Sequence, residues 1–444
     1  TTYFKDYQSM RGTSHDEEWN TTYGNKQRTA GGQIYFGTVL EHILIQNLCV
    51  FYDVGEHNEM KLHGADWNDA LDMAWDKGES VAFTCAYAGN LLDIAKCLRN
   101  VEKISGINRI EVLDELKLLL ADDEILYNCP DKKQELLMSY AKACENCTSV
   151  LVPIAAICEN LEHKAEWMMK NIRENEWISD GTDGGWFNGY YDNNGRPVER
   201  CESGDVRMML TGQVFAIMSG TAKKEQIKAI CNSADKYLFD QKAGGYRLNT
   251  DFKEEKFDLG RMFGFAYGEK ENGAVFSHMA VMYANALYKQ GFIKEGYKVL
   301  KTLLDTAMDF DRSRMYPGVP EYFDNDGRGL YSYLTGAASW YMLTMITSVY
   351  GVHGELGDLV IEPALMPQQY NEKGDAKVSL EFAGHGFDIL VHNPDKLEPG
   401  DAQVKRALCD DVKVENVTGN SVRIPRHAIE MLSTDKCHTV EIYI

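Results

Sequence analysis

Apolar residues recur at helical spacing through "GGQIYFGTVLEHILIQNLCVFYDVG", "ESVAFTCAYAGNLLDIAKCLRNV" and "AVFSHMAVMYANALYKQG". Further runs of this kind lie near 107–120, 132–175, 205–219, 222–239, 292–310 and 333–350. The spacing predicts helices alternating with glycine-rich loops from about residue 32 to 350. Many runs are apolar on more than one face, as helices buried between neighbours are. Only ten prolines occur in 444 residues, which leaves such helices few interruptions.

After "YGVHGELGDLVIEPAL" the period changes. "AKVSLEFAG", "GFDILVHNP", "DVKVENV", "NSVRIPR" and "KCHTVEIYI" are short, β-branched and separated by turn residues, which predicts strands. The expected order is therefore a mainly α domain at 1–355 and a small β-sandwich-like domain at 356–444. Two long loops break the helical part, "WISDGTDGGWFNGYYDNNGRPVERCESGD" and "SRMYPGVPEYFDNDGRGLYSYLTGAASW". Aperiodic loops of this length in a compact domain usually carry function.

Composition narrows the choice. A formal charge of −21 repels phosphate backbones and anionic membranes, so neither nucleic acid nor a membrane is an expected partner. No apolar run reads as a membrane span. Tyr, Phe and Trp number 24, 17 and 7, an excess that suits core packing and also sugar faces. Eleven cysteines, scattered and odd in number, read as reduced thiols of a cytoplasmic protein. Cys144 and Cys147 form one C-x-x-C with no second pair, so no metal is expected. The start "TTYFKDY", without Met, suits a fragment or a processed product.

Three stretches hold candidate chemistry. In "LHGADWNDALDMAWDKGES", Asp66, Trp67, Asn68 and Asp69 precede a helix-like run. They read either as a polar helix start or as an acid beside an aromatic platform. In "GEKENGAVFSHMAVM", His278 sits on an apolar run, either as a core histidine or as an anion ligand. In "YLTGAASWYM", Thr335 and Gly336 open a helix, for packing or to offer a hydroxyl and free N–H groups to an anion. "DNDGRG" begins like a calcium loop, but its twelfth position is Thr335 and not Glu. Walker A, G-x-S-x-G and H-E-x-x-H motifs are absent.

Taken together, "DWND", "ENGAVFSH" and "YLTGAASW", in that order, with "GWFNGYYDNNGRPV" and "LGDLVIEPALMP", resemble glycoside hydrolase family 94, the inverting phosphorylases of cellobiose, chitobiose and β-glucans. "GADWNDALDMA" followed by "GESVAFT" is most similar to the β-1,2-oligoglucan phosphorylase branch. The resemblance implies an (α/α)6 barrel followed by a β-domain. It implies Asp69 as general acid, Trp67 flanking the sugar with Asp66 beside it, and His278, Thr335 and Gly336 on phosphate. Glu321 falls where the family has a polar residue near the site. No organic cofactor is implied; inorganic phosphate is the co-substrate, a β-glucan oligosaccharide the partner, and a homodimer the expected assembly.

A phosphorylase needs an acid on the leaving oxygen but no base, because phosphate is already an anionic nucleophile. An inverting hydrolase needs both, with the two carboxyls roughly 6.5–9.5 Å apart. Asp69 is thus expected in surroundings that keep it protonated near neutral pH. Only 68 residues precede Asp69. The family's N-terminal sandwich and early barrel helices do not fit in that length, so the chain is expected to be the C-terminal portion of a longer enzyme with an incomplete barrel. Family residues gripping the non-reducing sugar, and part of the phosphate site, an arginine included, would lie upstream; Arg11 and Arg28 are the basic candidates here. Three rivals stand beside the phosphorylase. One is a hydrolase using Glu321, Glu202 or Asp205 as base, one a phosphorylase-like domain of a cyclic β-1,2-glucan synthase, and one a sugar-binding module with a dead site.

Overall fold

A computed structural model describes residues 28–144, 146–202, 204–316, 318–331 and 335–444. Arg11 lies outside the described residues, and Arg28 forms an isolated bridge with Ile34. Among the described residues there are thirteen α-helices, four of them single turns, and several small sheets. Contacts divide them into two units. The first comprises the described residues up to Leu238 with Asn249–Tyr267 and Glu271–Gly273; the second comprises Phe239–Leu248, Gly268–Lys270 and Ala274–Ile444.

In the first unit, the sequence punctuates its helices clearly. The Val39–Tyr52 helix opens on a capping box, in which Thr38 and Glu41 satisfy each other's backbone N–H groups. The Val81–Ser105 helix opens on Ser80, whose Oγ accepts from the Phe83 N–H at 2.9 Å, and closes on Gly106 at φ 72°. At 25 residues this helix is long and apolar enough to span a bilayer, contrary to the expectation of no such run. Within the unit it packs along Ile154–Asn175 and Leu210–Met218 instead. A core of Leu44, Leu48, Phe51, Leu91, Leu116, Ile157 and Leu161 joins the Val39–Tyr52, Val81–Ser105 and Ile154–Asn175 helices with Pro130–Ala143.

Two helical expectations fail in this unit. The run at 107–120 forms a strand, Arg109–Leu113, and one helical turn, Leu116–Leu119. The strand pairs antiparallel with Ser149–Pro153, which also interrupts the long run expected at 132–175. Ile110, Val112, Val150 and Val152 pack on the core from this hairpin, so β-branched alternation wins over the helical spacing around it.

Two lysines are buried in the same core. Lys164 Nζ donates to the Ala121 carbonyl and to Asn160 Oδ1 at 2.7 and 2.8 Å. Lys133 Nζ has no hydrogen-bond partner among the described residues and lies 4.0 Å from the Phe51 ring centroid and 4.2 Å from that of Trp167. Burial pushes both ammonium groups down to about 7.

The second unit is built on Ser277–Lys289, a helix buried along nearly its whole length, which packs against Ile293–Met308 and Gly336–Thr344. A three-stranded ribbon of Val275–Phe276, Tyr322–Phe323 and Gly329–Leu330 feeds directly into it. "DNDGRG" is the tight turn of that ribbon, with Asp324 Oδ1 accepting from the N–H groups of Asp326 and Arg328. From Val352 onward the unit is a pair of sheets. One has four strands, Val352–Glu355, Asp358–Ile361, Ser421–Ile424 and Val417–Thr418. The other has five, and in it His385–His392 runs parallel to His438–Tyr443. Leu359, Ile361, Phe387, Ile389, Val440 and Ile442 fill one apolar core between the two sheets.

Candidate functional site

The "DWND" segment of the first unit is not a helix start. Residues 62–78 form turns, closed by their own side chains. Asp66 Oδ1 accepts from the Asn68 N–H at 3.0 Å, and Asn68 Oδ1 from the Ala70 N–H at 3.1 Å, two successive Asx turns. The Leu71 N–H returns to the Asn68 carbonyl at 3.0 Å. Asp66 Oδ2 accepts from Ser80 Oγ at 2.7 Å, which fastens the turn to the hydroxyl that caps the long helix. Burial raises the Asp66 carboxyl to about 6 against the pull of Ser80.

Asp69, three residues on, has the opposite surroundings. Its side chain is 83 % exposed, with Oδ2 3.3 Å from Arg261 Nη2. Arg261 also donates to the Asp69 carbonyl at 2.7 Å and pairs with Asp72. It clamps both ends of the turn that presents the acid. Sequence reasoning missed Arg261, which stands in an unremarkable 3-10 turn, Arg261–Gly264. Trp67 is half-buried beside the turn. Trp75 is 55 % exposed, its indole N–H held by the Asp72 carbonyl at 2.9 Å.

The second unit gathers the other four candidates from three separate stretches of chain. Phe276 pairs with Tyr322, and the Ser277 N–H donates to the Glu321 carbonyl at 2.8 Å. That register sets Glu321 beside the first turn of the Ser277–Lys289 helix, with Oε1 3.9 Å from His278 Nδ1. The Gly336–Thr344 helix packs on the same helix, and its first residue meets the same imidazole. A Cβ at Gly336 would lie 2.5 Å from His278 Nδ1 and Cε1, so only glycine fits. Thr335, at the N-cap, is 9 % exposed, and its hydroxyl makes no capping bond. Thr335 Oγ1 and Glu321 Oε2 are buried without a hydrogen-bond partner among the described residues. Burial lowers the His278 imidazole below its ordinary value, and Glu321 opposes the shift.

This is a small polar cradle: an imidazole edge, a buried hydroxyl, a carboxylate and a helix N-terminus, whose first N–H groups lack intrahelical acceptors. Its donors suit a tetrahedral oxyanion. Of the other candidate bases, Asp205 is held by Arg200 and Arg207, and Glu202 is exposed next to it.

The geometry by itself leaves the class of protein open, and the comparisons with known proteins narrow it. Residues 155–351 match the model of the Glycosyl hydrolase 94 superfamily, catalytic domain. The resemblance to glycoside hydrolase family 94 is borne out over those residues, which include the whole cradle. Among characterised proteins, the chain is similar to solabiose phosphorylase of Paenibacillus borealis, 23 % identical over 388 residues, 85 % of this chain and 42 % of that one. It is 28 % identical to cellobionic acid phosphorylase of Neurospora crassa over 252 residues, 52 % of this chain and 31 % of that one. It is 25 % identical to the cyclic β-(1,2)-glucan synthase NdvB of Rhizobium meliloti over 211 residues, 45 % of this chain and 7 % of that one. The chain thus spans less than half the length of these relatives.

Proposed function

We propose that the chain carries out inverting phosphorolysis of β-linked glucooligosaccharides, β-1,2-glucan first among them, and that its helices belong to an (α/α)6 barrel. Asp69 gives its proton to the glycosidic oxygen. An oxygen of inorganic phosphate attacks the anomeric carbon from the opposite face, the C–O bond to the leaving sugar breaks, and α-glucose 1-phosphate forms. The reaction is reversible and uses neither metal nor organic cofactor. Holding phosphate in line supplies much of the acceleration, because it turns an encounter between two solutes into a step within one complex.

The observation that carries this reading is the cradle of His278, Thr335 and Gly336, with a buried hydroxyl left without a partner, inside the residues that match the family. Arg261 supports the acid's role by fixing the turn that bears Asp69.

A second reading is an inverting hydrolase, favoured by one feature. Glu321 is a carboxylate with an oxygen left open, as a base that activates water would be. One experiment separates the two. The protein is given β-1,2-glucooligosaccharide with and without phosphate, and glucose 1-phosphate and free glucose are assayed together. Phosphate-dependent glucose 1-phosphate is expected; phosphate-independent glucose would replace the phosphorylase with the hydrolase.

A further inference from the structure

An anion cradle with an acid in its wall poses an electrostatic problem. Glu321 Oε1 is 3.9 Å from His278 Nδ1, too far for a direct hydrogen bond, and Oε2 has no partner among the described residues. Its side chain is only 15 % exposed, so water does little to screen it. A carboxylate accepts hydrogen bonds and donates none, and it repels any fully deprotonated anion brought beside it. Among the described residues, the other groups of the cradle bring little charge against that repulsion. His278 is held towards its neutral form by burial, Thr335 offers a hydroxyl, and the helix N-terminus offers partial charge only. No lysine or arginine is paired with the Glu321 carboxylate among the described residues.

Resting on the phosphorylase reading above, we propose that Glu321 makes the cradle selective for a protonated tetrahedral oxyanion, by accepting a hydrogen bond from the P–OH of phosphate. Hydrogen phosphate carries such a proton near neutral pH, and so does hydrogen arsenate. Sulfate has the same shape and charge but no proton to give. The hydroxyl of Thr335 and the N–H groups opening the Gly336–Thr344 helix then serve the anion's unprotonated oxygens. The O–H···O⁻ bond to Glu321 is charge-assisted, and it exists for one of two otherwise matched ligands. A site with a buried acceptor strongly rejects an analogue lacking the matching donor, because the acceptor is left without a partner.

The test is binding and inhibition by sulfate. Titration calorimetry on the full chain with inorganic phosphate, arsenate and sulfate should show phosphate and arsenate preferred over sulfate by at least ~100-fold. Sulfate should leave phosphorolysis unaffected at concentrations far above the KM for phosphate. In Glu321→Gln the amide can turn its NH2 towards the anion, and the preference should fall below ~10-fold, with sulfate becoming a competitive inhibitor against phosphate. Wild-type protein that binds sulfate as well as phosphate overturns the proposal while leaving phosphorolysis intact, as does a variant that keeps the wild-type preference. Selective phosphate binding without any sugar phosphate formed supports the proposal and removes the phosphorylase reading. Glucose release without phosphate, abolished in Glu321→Gln, overturns it in favour of a hydrolytic base. The wild-type competition stands alone if the variant does not fold.

Discussion

In the turn around Asp66, the polar atoms serve one another. Both carboxylate oxygens of Asp66 accept, Asn68 caps Ala70, and Arg261 holds Asp69 and Asp72 from one side. Around Glu321 and Thr335 the reverse holds, with a carboxylate oxygen and a hydroxyl buried and left open. The first region is finished before any ligand arrives; the second is not. A buried polar atom without a partner carries a penalty of roughly 1–3 kcal/mol. A ligand that bonded to either atom would remove that penalty. On the proposed reading, the turn presents a reactive group and the cradle waits for one.

The largest break in this comparison comes from the turn. Asp69→Asn removes the proton donor and leaves the backbone of an exposed residue untouched. Phosphorolysis should fall by about 10²–10⁴-fold with the folded state unchanged, followed as glucose 1-phosphate release alongside circular dichroism. Normal turnover would end the assignment. In the cradle, Gly336→Ala drives a methyl into the His278 ring at 2.5 Å. The KM for phosphate should rise by roughly 10–100-fold, as expected when a positioned anion is displaced by a fraction of an ångström. An unchanged KM would show that phosphate binds elsewhere.

Arg261→Met tests whether the turn needs its clamp. The arginine is 45 % exposed, so its ion pairs are partly screened, and a loss of about tenfold in kcat is expected, with little effect on phosphate binding. An equal rise in the phosphate KM would dissolve the distinction between presenting and waiting. Smaller effects sharpen the electrostatic side. The Asp66 carboxyl rises from 3.8 to about 6 in the folded state, so folding binds its proton more tightly than the unfolded chain does. Its contribution to stability is present at low pH and is lost as pH rises from about 4 to 6. Asp66→Asn should flatten the melting temperature across that window, measured against wild type in matched buffers. Lys133→Met removes an ammonium buried without a hydrogen-bond acceptor. Its pKa of about 7 lies below the unfolded value, so the group weakens the fold as pH falls from about 10.5 to 7. The variant should melt several degrees higher near pH 7, a gain that shrinks towards pH 10.

The long helices and the β-rich end were legible because each carries its signal locally. Val81–Ser105 has apolar spacing, a Ser cap and a Gly stop within one stretch. The Arg109–Leu113 strand was hidden because its partner lies some forty residues away, at Ser149–Pro153, and a strand that short has no signal apart from its partner. The turn at 62–78 looked helical because Ala70, Leu71, Ala74 and their neighbours suit a helix. What overrides them is Asx chemistry tied to Ser80 and Arg261, which no local window contains. His278, Thr335 and Gly336 were found through family likeness, and their local sequence left packing equally open. Glu321 falls near them by its position in the family pattern, with no physical reason visible in the sequence. The reason is a two-residue strand pairing, Phe276 with Tyr322, too short to announce itself in the sequence.

The fit between Gly336 and His278 also constrains how this protein can change over generations. A descendant cannot acquire a side chain at 336 while the imidazole stays where it is. A descendant that first replaced the imidazole with something smaller would leave the cradle without its ring nitrogen. The two positions therefore bar each other's single steps, and a route to a different anion, or to none, has to begin at Glu321 or Thr335.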